Sequence, residues 1–365
     1  MNPVLGVLDI LDRAAMTGTN KLGLLLTLLD LAPSLSGDAR SIPRAALAER
    51  YLEIHWEHAR PYNGVTLRQS SSRKKRKDGT VADDTLVMQE IRRLREVLKD
   101  YGRGDLQDKP LQMVRRFLEG SEWHLQWQKA LETALARVQV ALLKNPVRLL
   151  QELPGKPDPF LYDLAEDRSG LKLRPGVAES LIRFAGVLRP LIEFRFAQAV
   201  MRINRETLEL PIDDVYSHLF GRDRIMPPVK MRQELVRIQR EHCILTGRSL
   251  AATGRSLDHV LPWSRARLSQ VENFLMTTPS VNSKKSDSLL APAALERWLH
   301  YLKENSEKIR KCAQAHNWPT DINSVRSVTL HTYQAIDATT GVWDSESGIR
   351  PLGEKGKLEA LRLLR

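Results

Sequence analysis

The residues best suited to chemistry lie within residues 257–289. An Asp-His pair, Asp258 and His259, is followed by Asn273 and then by Asn282. Asp258 offers a carboxylate oxygen and Asn282 an amide oxygen, which are ligand types that Mg²⁺ accepts while it keeps several waters. His259 can accept a proton from an attacking water near neutral pH. Together these residues predict metal-assisted hydrolysis of a phosphodiester.

Three further residues are expected to support this chemistry. Asn273 can tie the connecting loop to the backbone near His259, and Lys285 or Lys284 can neutralise phosphate charge. Each residue alone also has an ordinary structural explanation. An isolated Asp-His pair is usually a surface pair or a buried histidine with satisfied hydrogen bonds, and a lone asparagine often caps a loop. The combination is what favours a catalytic site.

We predict that a strand, a second strand and a helix position these residues. The stretches HCILTG (242–247) and SLDHVLPW (256–263) have strand character and are expected to form a hairpin, with Pro262 ending the second strand. Thr278 and Pro279 predict a helix start, with Thr278 as N-cap and Pro279 at the first helical position. Adjacent strand residues face opposite sides of a sheet, but near a strand end both can flank one site.

The stretch resembles the HNH, or ββα-metal, endonuclease motif, especially the version in RNA-guided CRISPR nucleases. That version has Asp-His, an Asn 14 residues after the His, and Asn-x-x-Lys-Ser-Asp beginning nine residues later, as this chain does. A wider likeness to a stand-alone bacterial HNH protein family covers roughly residues 175–300, from PGVAESLIRF to ALERW. The resemblance implies that His259 is the general base, that Asp258 and Asn282 hold Mg²⁺ or Mn²⁺, and that Asn273 orients the site.

The chain departs from that family at the positions of a structural zinc site. Many relatives carry paired cysteines on the first hairpin and before the helix, whereas this chain has CILTG and TTPSVN there, so that only Cys243 remains. We therefore expect no structural zinc, with packing in its place. The resemblance also implies a role in bacterial defence against foreign DNA, for example in a Zorya-type phage-defence system, with other defence-system proteins as partners.

For the whole chain we predict a mainly α fold with a small ββα-metal module, α+β overall. The helical spacing of leucines predicts a core helix over 22–31, and apolar periodicity predicts a long helix or helix pair over 177–204. Between them, a second helix is predicted to begin with Pro43 as its first residue. The expected domains are a helical module at 1–120, a helical connecting region at 121–230, the HNH domain at 231–300 and a C-terminal extension at 301–365 that packs on it.

The first of these domains carries a basic loop followed by an amphipathic helix. Residues 67–80 contain three serines and five consecutive basic residues, and Val87, Ile91, Leu94 and Leu98 form the apolar stripe after them. A winged-helix-like DNA reader and a helical bundle with a charged loop both fit this pattern. The residues expected to contact DNA here and on the HNH flank are Arg73, Lys74, Lys75, Arg76, Lys77, Arg92, Arg93, Arg265 and Lys284.

Composition favours a polyanionic partner. Lysine and arginine total 56 against 44 acidic residues, which suits duplex DNA bound through its backbone and, second, an anionic membrane surface. The two cysteines lack a Cys-x-x-Cys pair, and the amino terminus has acidic residues where a signal peptide is basic, so we expect a cytoplasmic location and no membrane partner. The run 22–31 is shorter than the roughly 20 residues of a membrane span.

The function expected from the sequence is a Mg²⁺-dependent DNA endonuclease. A single HNH site cuts one strand, so a monomer is expected to nick, and a double-strand break needs a dimer or two visits. Two alternatives stay open, a non-catalytic DNA-binding regulator on an HNH scaffold and an RNA-directed nuclease.

Overall fold

The computed structural model describes the chain apart from residues 1, 15, 36–40, 72–73, 76–80, 83, 154, 156–158, 168, 207–210, 222–225 and 252–253. It divides into two compact units, Met1–Asp223 and Arg224–Arg365. Most described residues are helical and the sheets are small, which confirms the expectation of a mainly α, α+β protein. None of the helices within the described residues combines the length and the apolar character needed to cross a bilayer.

The first unit is built on helices. Those described are α1 (Pro3–Arg13), α2 (Asn20–Leu31), α3 (Arg44–His58), α4 (Leu86–Asp100), α5 (Leu111–Leu118), α6 (His124–Lys144), α7 (Pro146–Leu149), α8 (Val177–Asn204) and α9 (Ile212–Phe220). Its short strands are β1 (Ser41–Pro43), β2 (Pro61–Tyr62), β3 (Val65–Thr66), β4 (Lys74–Lys75), β5 (Val81–Ala82), β6 (Tyr162–Leu164) and β7 (Gly170–Leu173).

Two helix predictions for this unit are confirmed. The leucine-rich segment forms α2, most of whose side chains are buried against α3 and α8. The stretch 177–204 forms one continuous helix, α8, with Pro190 inside it. Gly23 lets α2 approach α3 closely, because a Cβ atom there would lie 2.5 Å from Cε1 of His55.

The second predicted helix is present as α3, but the prediction that Pro43 is its first residue is wrong. Pro43 ends strand β1 and stands at the N-cap of α3, which begins at Arg44. The strand exists because β1 pairs antiparallel with β7, whose Gly170 lies opposite Pro43. A Cβ atom on Gly170 would lie 2.1 Å from the carbonyl oxygen of Ile42, so only glycine permits this pairing. The sequence around Pro43 contains no sign of a partner strand so far along the chain.

The first unit extends across the expected boundary at residue 120. Helices α3 and α4 pack against α6, so the segments 1–120 and 121–223 share one body. The apolar stripe of α4 is buried, with Val87, Ile91, Leu94 and Leu98 all inward. In the segment before it, β4 pairs antiparallel with β5. The winged-helix-like interpretation of this region stays a prediction.

The second unit combines helices with short strands. Its described elements are α10 (Val229–Ile238), β8 (Ser256–His259), β9 (Phe274–Thr277), α11 (Pro279–Lys285), β10 (Leu289–Leu290), α12 (Pro292–Ala315), α13 (Ile322–Ala335), β11 (Gly341–Asp344), β12 (Gly348–Pro351) and α14 (Gly353–Leu364). One hydrophobic core runs from Met231 in α10 to Leu364 in α14. The expected HNH segment and the expected C-terminal extension therefore fold around the same core.

Candidate active site

The candidate catalytic residues lie on a two-stranded antiparallel sheet and the helix after it. Strand β8 carries Asp258 and His259, which pair with Leu275 and Phe274 of β9. The predicted partner strand, 242–247, is wrong. That segment is a tight loop in which the Gly247 amide donates to the Cys243 carbonyl at 2.7 Å. Strand β8 also ends at His259 rather than at Pro262.

The outer edge of β9 is held by Gln239, a residue that the sequence reasoning missed. Its side-chain amide nitrogen donates to the Met276 carbonyl at 2.8 Å, and its amide oxygen accepts from the Met276 amide at 2.7 Å. Gln239 therefore supplies the pair of hydrogen bonds that a neighbouring strand would supply. It follows the last residue of α10, so that this helix fixes the sheet edge.

Helix α11 begins where the sequence predicted. The Thr278 side chain accepts from the Val281 amide at 3.2 Å, and Pro279 occupies the first turn, which confirms both parts of the helix-start prediction. This cap directs the helix back across β8. The sequence consequently places Asn282 and Lys285, three residues apart, on the helix that packs against Asp258 and His259.

Lys285 forms a buried ion pair with Asp258. The side-chain exposure is 0% for Lys285 and 4% for Asp258. The ammonium donates to Asp258 Oδ1 at 3.2 Å and to the His259 carbonyl at 2.8 Å, and it lies 3.2 Å from Asp258 Oδ2. A buried carboxylate needs such compensation, since leaving it alone would be costly. The ammonium thus binds a candidate metal ligand, while Lys284 beside it is exposed.

Asn282 is held by the start of β8. Its side-chain nitrogen donates to Ser256 Oγ at 2.7 Å and lies 3.5 Å from the Leu257 carbonyl. The nitrogen therefore faces β8, and the oxygen of the same amide is the atom that can serve as a ligand. The structure thus brings Asn282, Lys285 and Asp258 together at the junction of β8 and α11.

The His259 ring lies among aromatic side chains. Its centroid is 4.9 Å from that of Phe274 and 5.5 Å from that of Trp263, both edge to face. His259 is 2% exposed, Phe274 belongs to the core, and Trp263 is only half-buried. The guanidinium of Arg267 lies over the Trp263 ring, 5.3 Å from its centroid. The His259 ring is thus fixed in orientation and covered from solvent.

Asn273 closes the loop between the two strands. It is fully buried, and its side-chain oxygen accepts from the Leu261 amide at 2.7 Å. Its nitrogen donates to the carbonyls of Leu261 and Leu268 at 3.1 and 3.3 Å. The backbone carbonyl of Asn273 also accepts from the Val260 amide at 2.9 Å. These bonds set the path of the chain just after His259.

Glu272, the residue beside Asn273, anchors the same loop to the start of α13. The sequence did not predict this role. The buried Glu272 carboxylate accepts from Thr320 Oγ1 at 2.5 Å and from the Asp321 amide at 3.2 Å. The Trp318 indole donates to the Ser269 carbonyl at 2.7 Å. A glutamate in a loop gives no sequence signal of this kind, because its partners lie almost 50 residues away.

A basic groove runs beside α11. Its volume is about 580 Å³, and Lys284 lines it together with Arg248 and Arg297, neither of which was predicted. Asp344 and Glu346 also line the groove. Arg265 lies elsewhere in the unit, half-buried, and burial lowers the pKa of its guanidinium while Asp287 opposes that effect.

The expected DNA contacts of the first unit are only partly described. Residues 73, 76 and 77 lie outside the described residues, and of Lys74 and Lys75 only the backbone of β4 is described. On α4, Arg92 is 2.6 Å from Asp84 and Arg93 is 2.5 Å from Glu90. The charge of both arginines is thus partly used within the unit, although each side chain is at least one-third exposed.

Comparison of the chain with protein-family models, with curated proteins and with solved structures gives no significant match.

Proposed function

We propose that the second unit is an HNH-type, ββα-metal endonuclease domain that hydrolyses DNA phosphodiester bonds with Mg²⁺ or Mn²⁺. The observation that carries this proposal is the junction of β8 and α11, which collects Asp258, Asn282 and Lys285 next to His259. The sequence motif supplies the resemblance, and the strand–strand–helix order is the arrangement that the motif implies.

The donor set at this junction suits a hard divalent cation. Asp258 contributes a carboxylate and Asn282 an amide oxygen, both hard ligands. A metal ion on Asp258 would share that carboxylate with the Lys285 ammonium. When bound, Mg²⁺ would polarise a phosphate oxygen and stabilise the negative charge that develops during hydrolysis. Lys285 then acts as a positioning residue that holds the Asp258 carboxylate through its ammonium, and the exposed Lys284 is the lysine proposed to contact phosphate.

His259 takes the role of general base. Its imidazole accepts a proton from water, the water oxygen forms a bond to phosphorus, and the bond from phosphorus to the leaving oxygen breaks, after which that oxygen is protonated. Because the ring is buried, it must be uncovered before water can reach it. Trp263 is the neighbour that can move at least cost, since Phe274 is packed in the core.

The basic groove offers a path for the nucleic-acid backbone. Arg248, Lys284 and Arg297 line it, and Lys284 adjoins Lys285 on α11, so that phosphates in the groove would pass near the junction. The basic run 73–77 of the first unit is proposed to contact phosphates as well. A role in bacterial defence is what the family resemblance implies. Phage plating on strains that express the protein with and without His259→Ala tests it.

The test is nicking of supercoiled plasmid by the full chain across a series of Mg²⁺ and Mn²⁺ concentrations, with EDTA as the metal-free condition. Asp258→Ala and Asn282→Ala should each raise the metal concentration needed for nicking and lower the maximal rate, because each removes an oxygen ligand. Ser283→Ala is the matched control, since Ser283 is exposed on the same helix turn.

The outcomes separate the alternatives. Metal-independent nicking, or equal metal dependence in all three variants, would contradict the proposed ligands. Tight DNA binding without cleavage under any metal condition would favour the non-catalytic regulator, and cleavage of single-stranded RNA in preference to DNA would favour an RNA-directed nuclease.

A further inference from the structure

A second cluster of metal-binding side chains lies in the second unit, away from the elements that carry Asp258 and Asn282. Glu234, Cys312 and His316 each offer one ligand atom, and these three atoms all lie within 4.8 Å of one another. The His316 Nε2 atom is 3.1 Å from Glu234 Oε1, and the Cys312 Sγ atom is 4.0 Å from the Met231 carbonyl.

Two packed helices create this cluster. Cys312 lies in the last turns of α12 and His316 is the residue that caps that helix, four positions later, so both occupy one helix face. Glu234 lies on α10, which packs against α12. Neighbouring core residues Met231 and Ile309 fix the two helices relative to each other. No local pattern marks the cluster, because Glu234 lies 78 residues before Cys312 in the chain.

The chemistry of the three donors selects a borderline transition metal. A thiolate, an imidazole and a carboxylate are the three ligand types of Zn²⁺, whereas Mg²⁺ avoids sulfur. Zinc bond lengths place tetrahedral ligand atoms about 3.3–3.8 Å apart. Side-chain movements of roughly 1 Å would bring the three ligand atoms to those distances. Cys312 is buried, but the Glu234 side chain is 39% exposed, which leaves access for the ion and for water as a fourth ligand.

We propose that Glu234, Cys312 and His316 form a Zn²⁺ site that joins α10 to α12. The expectation of no structural zinc was drawn only from the missing cysteine pairs around 243 and 278, and this site lies elsewhere. The ion would link the two helices, and α10 ends at the residue before Gln239, which holds strand β9 through Met276. Fixing α10 to α12 therefore steadies the sheet edge behind the candidate active site. This inference does not depend on nuclease activity.

The test uses Co²⁺ as a coloured substitute for Zn²⁺ in the full chain, after treatment with a chelator. One equivalent of Co²⁺ should produce a sulfur-to-cobalt charge-transfer band, and one equivalent of Zn²⁺ should abolish it. Cys312→Ser should lose the band, while Cys243→Ser, the matched control at the other buried cysteine, should keep it. Asp258→Ala should also keep it, which separates this site from the proposed Mg²⁺ site.

Two milder variants guard against misfolding of Cys312→Ser. Glu234→Gln and His316→Ala change partly exposed side chains and should weaken Zn²⁺ binding at least about tenfold in competition with a chromophoric chelator, whereas His300→Ala, exposed on α12, should not. Lack of a thiolate band in the folded wild-type chain, or a band that survives in Cys312→Ser, would overturn the proposal and leave the cluster as a hydrogen-bonded contact between helices.

Discussion

Replacing Lys285 with Met should destabilise the second unit in a way that a divalent cation relieves. The Lys285 side chain is fully buried, and its ammonium contacts both oxygens of the nearly buried Asp258 and the His259 carbonyl. Removing one partner of a buried ion pair leaves the other charge uncompensated, which typically costs about 3–5 kcal/mol. Mg²⁺ on Asp258 would replace the lost positive charge.

Amide hydrogen exchange followed by mass spectrometry measures this effect separately for each unit. In EDTA, peptides covering β8, β9 and α11 should lose roughly two to nearly four orders of magnitude of protection, which is the stability loss expressed at about 1.4 kcal/mol per factor of ten. Peptides of the first unit should not change. Mg²⁺ at about 100 times its dissociation constant for Lys285→Met should restore about 2.7 kcal/mol to that variant. The same Mg²⁺ concentration should stabilise wild type less, because there the Lys285 ammonium already compensates Asp258.

The matched control is Lys284→Met, which removes an exposed charge from the same helix and should change stability by less than about 0.5 kcal/mol. The double variant Asp258→Asn/Lys285→Met should lose less than the sum of the single losses, because the two side chains compensate each other. Equal losses in Lys285→Met and Lys284→Met would refute the ion-pair argument. A loss in Lys285→Met that Mg²⁺ leaves untouched would refute Asp258 as its ligand.

Two further predictions concern the first unit. Burial lowers the pKa of His55 to about 4 from an ordinary value of 6.5, so the folded protein has a stability increment that is full above pH 6.5 and is lost as the pH falls through 4, about 3 kcal/mol in all. In urea unfolding, His55→Gln should therefore lose less stability than wild type between those pH values. Parallel pH profiles for the two proteins would contradict this. Changing residues 73–77 to Ser should weaken DNA binding and reduce the salt slope of log K by up to about 0.9 per lost phosphate contact. The control Arg310→Ser/Lys311→Ser, at exposed residues paired with Glu307, should change neither the affinity nor the salt slope. Superimposable salt curves for wild type and the 73–77 variant would exclude this segment from the DNA interface.

Local signals in the sequence were sufficient for one helix beside the candidate site and for one helix of the first unit. The cap at Thr278 and Pro279 and the periodic stretch 177–204 depend on neighbours within a few residues, so the prediction of both helices is confirmed. The candidate side chains Asp258, His259 and Asn282 were selected by type and spacing, which do not depend on the fold, and their chemistry stays a prediction.

Pairing between distant segments could not be deduced in the same way. The alternating Cys243 and Leu245 resemble a strand, yet both are buried in a tight loop, and the true partner of β8 is β9, which the sequence analysis did not identify as a strand. Gln239 and Glu272 hold that sheet through partners 37 and 48 residues away, and no local pattern marks them. The burial of Lys285, likewise, arises only when α11 packs on β8.

His259 is proposed to act as a general base in metal-dependent hydrolysis, and chemical rescue of His259→Ala tests this role most directly. Single-turnover nicking of supercoiled plasmid is measured with saturating Mg²⁺ for wild type, His259→Ala and His300→Ala, an exposed histidine as control, after circular dichroism has shown that all are folded. His259→Ala should be slower by about 10²–10⁴-fold, and added imidazole should restore part of the rate by filling the space of the missing ring. His300→Ala should match wild type with or without imidazole. Wild-type nicking by folded His259→Ala would contradict the account.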